Sequence, residues 1–177
     1  SEEETMRKVV KEIREKVRRI SERHKEELER ITDALRRSSK RHEDELREIE
    51  KAVREIIRRI DDDKTVKEIK KILDDARDRV KKVNDKTDDD LKKIKKDAER
   101  VNRELERELR KAEEDARRRE PSDKLIRELE EILERLEREV RKSLDRLRKI
   151  LEDIHRTNKD TLDRLREILK KVEDRTR

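Results

Sequence analysis

From Val10 to Ile60 a single stripe of positions repeats at steps of three, four, three, four and four residues, and then begins the same cycle again. It runs through Val10, Ile13, Val17, Ile20, His24, Leu28, Ile31, Leu35, Ser38, His42, Leu46, Ile49, Val53, Ile56 and Ile60. Five steps span eighteen residues, which is five whole turns of an α-helix at 3.6 residues per turn. The rest of the chain keeps this period through Val80/Ala98, Leu91/Leu109, Leu129/Leu147/Leu165 and Ile132/Ile150/Ile168. A strict 3.5-residue repeat winds helices into a left-handed supercoil, whereas a 3.6-residue repeat needs none. The spacing therefore predicts long helices packed without supercoiling.

Composition taken alone argues the other way. Charged residues make up 61% of the 177 and apolar residues 28%, with no Gly, Cys, Phe, Trp or Tyr. High charge with few apolar residues usually marks a chain that cannot bury enough surface to fold. Disorder carries no apolar periodicity, however, and here the few apolar residues recur at regular spacing, on the stripe or beside it. Order is expected.

The helices are interrupted twice, at IDDDKT (60–65) and at REPSDKL (119–125). In the first, an aspartate is placed to accept from the free amides of a following helix start. In the second, Pro121 disfavours helix at Glu120 and Ser122 or Asp123 opens the next helix. Ser1 and Glu4 have the spacing of a capping box. The prediction is a single all-α domain over 1–177, a straight, untwisted, antiparallel up-down-up three-helix bundle. Its helices cover about 2–60, 63–119 and 123–175, each roughly 85 Å long. Loops of a few residues force neighbouring helices antiparallel. The stripe is wide enough to be buried against two neighbours and leaves no second apolar face.

Polar residues interrupt the stripe. A hairpin turning near residue 62 brings residues of helices 1 and 2 to equal height when their numbers add to about 124. A turn near 120 does the same for helices 2 and 3 at about 241. On that geometry Asn102 lies level with Ser21, His24 and Ser143. Asn84, with Thr87 one turn away, lies level with Ser38, Ser39, His42, His155, Asn158 and Thr161. Two buried polar layers are thus expected, roughly 27 Å apart. A buried polar group without a partner costs about 1–3 kcal/mol, so such layers penalise every register but one.

Little points to chemistry. The 57 basic and 51 acidic residues leave a net charge of +6, but the signs are interleaved along the whole chain and no aromatic is available for base stacking. No nucleic-acid partner is expected. Neither is a membrane span or a signal peptide, since no apolar run approaches about 18 residues. Without cysteine there is no thiol chemistry, and without glycine no phosphate loop. Glu152 and His155 have the Glu-x-x-His spacing of bundle metal sites, but such sites draw several carboxylates and usually two such motifs from four helices. No catalytic residue, cofactor or metal is expected.

The residues as a set resemble those of de novo designed helical bundles, and more narrowly parametric bundles with built-in hydrogen-bond networks. The features that carry the likeness are the missing Gly and aromatics, the Glu/Lys/Arg surface, the loops IDDDK and REPSDK, and the eighteen-residue repeat with polar layers. The resemblance covers the whole chain. It implies a stable scaffold without natural activity whose polar layers specify helix pairing. Some members of that class are assembly components or pH-responsive units, so the alternative is an interaction module, a homo-oligomer or a bundle that accepts a partner helix. Relatives with such networks are often oligomers of two-helix hairpins, and three helices in one chain depart from that pattern.

Overall fold

The computed structural model describes residues 1–118 and 122–176. It is a bundle of three long helices, α1 (Glu2–Ile57), α2 (Asp63–Arg118) and α3 (Asp123–Thr176). No strand occurs among the described residues. Arg119, Glu120 and Pro121, on which the expected second interruption rests in part, lie outside them, as does Arg177. The first helix ends at Ile57, three residues short of the expected end.

Each helix start is capped by the side chain the sequence offers. Ser1 Oγ accepts from the Glu4 amide at 3.3 Å, and Ser122 Oγ from the Leu125 amide at 3.3 Å. Asp62 accepts from the Lys64 amide at 3.1 Å and from the Thr65 hydroxyl at 2.7 Å. These two bonds, the hydroxyl first, favour the carboxylate and hold Asp62 below its ordinary pKa. The α1 end closes by tightening. Arg59 N donates to Ile56 O at 3.0 Å and Ile60 N to Ile57 O at 3.2 Å, the i to i+3 pattern of a final 3₁₀ turn. No described residue has a positive φ. A helix that stops this way needs no left-handed residue, so α1 ends without a glycine.

Contacts divide the chain into two compact units, each holding a stretch of all three helices. The first comprises Ser1–Ile31 and Leu91–Arg148, the second Thr32–Asp90 and Lys149–Arg177. In the first unit Val10, Ile13 and Val17 of α1 pack with Leu105, Leu109 and Ala112 of α2 and with Leu125, Leu129 and Leu136 of α3. In the second, Leu46, Ile49 and Val53 meet Ile69, Leu73, Ala76 and Val80, with Leu162, Leu165 and Leu169 completing the core. No large hydrophobic side chain is exposed among the described residues.

Polar contacts across the helices report the register within each unit. In the first, Arg14 of α1 reaches Glu106 at 2.8 Å and Glu113 at 3.0 Å on α2, while Arg135 and Arg146 of α3 pair with Glu108 at 3.1 Å and Asp97 at 3.5 Å. In the second, Arg77 pairs with Glu50 and Arg166 with Glu45 at 3.5 Å. The α1–α2 and α2–α3 pairs join residues at the heights expected for antiparallel neighbours, and α1 and α3 run parallel. Half-exposed ion pairs contribute about 0–1 kcal/mol each, so they follow the register set by the core.

Leu129 is completely buried, so Leu129→Ala removes packing that no neighbour can replace. It should lower stability by about 2–5 kcal/mol. Denaturant titration followed by circular dichroism checks this, and the half-buried Leu28→Ala should cost clearly less.

Candidate functional site: two levels of polar side chains

The second unit holds the more complete polar level. Asn158 of α3 is 0% exposed, between Ile154 and Leu162 on the buried face of its helix. Its amide nitrogen donates to Asn84 Oδ1 on α2 at 3.2 Å and lies 3.2 Å from His42 Nδ1 on α1. An amide nitrogen is a donor only, so His42 Nδ1 is the acceptor and the ring proton resides on Nε2. Asn84 Nδ2 then donates to Glu43 Oε1 at 3.2 Å, which carries the chain of bonds out to an exposed carboxylate. One amide thus ties all three helices at one height. Asn158 Oδ1 is buried and has no partner among the described residues.

The remaining residues expected at this level divide by helical phase. Thr87 and Thr161 are buried, but each hydroxyl donates within its own helix, to Val83 O at 2.7 Å and to Thr157 O at 3.0 Å. A threonine inside a helix has the i−4 carbonyl always within reach, and a bond across the bundle has to outcompete it. Ser38 is buried and Ser39 half-buried, and no hydrogen bond among the described residues joins either to the amide chain. His155 corrects the expectation: it is exposed. It follows Ile154 by one residue, about 100° around the helix, which turns it off the buried face. Its ring still lies 5.8 Å from that of His42, tilted by 44°.

The first unit holds a sparser level. His24 is buried, and its Nε2 lies 3.2 Å from Ser143 Oγ. Its Nδ1 is buried without a partner. A bare acceptor costs less than a bare N–H, so the preferred tautomer donates from Nε2 to the serine and leaves Nδ1 as a lone pair. Ser21, Asn102 and Ser143 are half-buried. Asn102 lines one cavity of about 300 Å³ with His24 and Ser143, but no hydrogen bond among the described residues ties Asn102 or Ser21 to the histidine. Of the four expected members, two are joined. Thr32, buried at 3% exposure, is a polar core residue that the sequence reading passed over. Its place four residues after Leu28 and three before Leu35, the spacing of one helix face, is the signal that points to it.

Burial disfavours the imidazolium at both buried histidines. Desolvation alone lowers the pKa of His24. At His42 desolvation is again the largest cause, reinforced by His155 and Arg41 and opposed by the Glu45 carboxylate. No cluster of three or more His, Cys, Asp or Glu side chains suited to a metal comes together among the described residues, and no described helix is long and apolar enough to cross a membrane.

Compared with protein-family models, with curated proteins and with solved structures, the chain matches none.

A histidine kept neutral in the fold stabilises it fully above its unfolded pKa of about 6.5 and loses that contribution as pH falls, because the unfolded chain then takes up more protons. The protein should therefore be less stable at pH 5 than at pH 7.5. His24→Leu should flatten part of that dependence in denaturant titrations at the two pH values. Asn158→Ala should cost about 2 kcal/mol or more in the same measurement, since it leaves Asn84 Oδ1 and His42 Nδ1 buried without their donor.

Proposed function

We propose that this protein is a designed structural scaffold without natural catalytic activity, whose buried polar side chains select one alignment of three otherwise interchangeable helices. The observation that carries this reading is the single Asn158 amide bonded to His42 on one neighbouring helix and Asn84 on the other. An eighteen-residue apolar repeat is nearly degenerate. Sliding one helix by five turns, or by one, still sets Leu and Ile against Leu and Ile. Such a slip would bury the Asn158, Asn84 and His42 polar atoms against hydrocarbon, at about 1–3 kcal/mol for each group left unpaired. The polar level therefore discriminates where the apolar repeat cannot, the role that a lone buried asparagine plays in coiled coils.

Nothing in this role requires a bound partner, a nucleic acid, a membrane or a cofactor. The regularity of the repeat, the side-chain caps and the glycine-free helix ends support a designed origin.

The test replaces the bonded trio with leucine. His42→Leu/Asn84→Leu/Asn158→Leu should unfold at a denaturant concentration no lower than the parent's, because hydrophobic replacement of a whole buried network is neutral or stabilising. It should also lose uniqueness, giving doubled amide resonances in ¹H–¹⁵N spectra or several masses by light scattering. A variant that keeps one set of resonances and one mass would show that the apolar repeat suffices to set the register, and the reading would fail.

A further inference from the structure

The two histidines of the second unit lie 5.8 Å apart, ring centre to ring centre, one on α1 and one on α3. Both line a single surface cavity of about 220 Å³. We propose that His42 and His155 form a two-imidazole site for one divalent transition-metal ion of the nitrogen-preferring kind (Cu²⁺, Ni²⁺ or Zn²⁺), with water completing its coordination.

The separation of the two rings is compatible with one ion held between them. A zinc–imidazole bond of about 2.0–2.1 Å places each ring centre roughly 3.2 Å from the ion, so two rings on one tetrahedral ion are about 5.2 Å apart, and about 6.4 Å at the linear limit. The observed separation falls inside that interval. His42 Nδ1 is already occupied by the Asn158 amide, which leaves Nε2 as the nitrogen free to bind. His155 is exposed, so an ion reaches the pair directly from solvent.

The surroundings of His42 also meet a second requirement. A histidine that binds metal through one nitrogen carries its proton on the other and donates it to a fixed acceptor. Metal on Nε2 moves the His42 proton to Nδ1, where the Asn158 nitrogen now stands. The buried Asn158 Oδ1 has no partner, and a half-turn of the amide brings this oxygen to Nδ1 as the acceptor, leaving the amide NH2 buried in its place without one, a cost that the metal–nitrogen bonds have to outweigh. Asn84 answers by turning its own amide, donating Nδ2 to Asn158 Oδ1 and releasing Glu43, whose carboxylate is exposed and returns to water. Occupancy at the surface is thereby coupled to the buried tie between the three helices.

Charge sets the selectivity. The same cavity is lined by Glu45 and Asp163 but also by Arg41, Lys159 and Arg166, and Arg166 pairs with both carboxylates at 3.5 Å. The carboxylates are committed, and the surplus of cations opposes any ion that binds mainly through charge. Mg²⁺ and Ca²⁺, which require oxygen ligands, are excluded on that ground. An ion whose affinity for imidazole nitrogen outweighs the repulsion is retained, in the order Cu²⁺ above Ni²⁺ and Zn²⁺.

The chain has only three histidines, and His24 lies in the other unit, so the assignment can be read residue by residue. Cu²⁺, Ni²⁺, Zn²⁺ and Mg²⁺ would be titrated separately into the full chain at pH 7.5 by calorimetry. Zn²⁺ binding would also be followed through the histidine ring resonances and the melting temperature. One ion per chain is expected, with the rings of His42 and His155 shifted and that of His24 unmoved, a raised melting temperature, and no response to Mg²⁺. His155→Ala replaces an exposed side chain, leaves the fold intact, and should weaken binding about tenfold or more. The same affinity in His155→Ala, a shift confined to other residues, or no binding by any of the three transition ions would each overturn the proposal.

Discussion

The structure depends on burying apolar side chains that make up little more than a quarter of the chain. With 28% apolar residues, none aromatic, no helix can afford an apolar residue outside its contact face. This scarcity accounts for the 3.6-residue spacing and for a surface of Lys, Arg, Asp and Glu. It also sets the division of labour in the core, where Ala76, Ala112 and Ala116 of α2 leave room for the leucines of α3. Burying Leu, Ile and Val contributes about 1.5–3 kcal/mol each, far more than the half-exposed ion pairs that line the seams.

Scarcity has a consequence for specificity. A core of aliphatic residues repeating every five turns gains nearly as much in a shifted register as in the right one, and aliphatic side chains lack the shape to distinguish them. Directional bonds supply that distinction. Asn158 is the strongest instance, because its fully buried amide must find both an acceptor on α2 and a lone pair on α1. His24 and Ser143 do the same more weakly in the first unit, with one ring nitrogen left bare. Neutral imidazoles in such places couple stability to pH through desolvation.

The heights of the polar residues were legible in the sequence, and their partners only in part. The antiparallel register brought Asn84, His42 and Asn158 together as expected, because backbone rise and loop position fix height to within a turn. Rotation about the helix axis decided the rest. His155 and Asn158 differ by less than one turn in height, yet one is exposed and the other fully buried. Ser21, Ser39 and Asn102 lie on the flanks of their stripes and are half-buried for the same reason. Thr87 and Thr161 are buried as expected but bond their own helices, a competition that spacing does not reveal.

The sequence by itself determined three helices, their caps, their antiparallel order and the face each one buries. These follow from local propensity, from the period of the apolar residues and from loops too short for any other connection. Only the tertiary structure decided which polar atoms meet, which tautomer His42 adopts, and that a buried and an exposed histidine on two helices come within 5.8 Å. Those outcomes turn on side-chain directions and on separations of a few ångströms between helices. No spacing along the chain encodes them, because each depends on how far two neighbours rotate to bring their apolar stripes into contact.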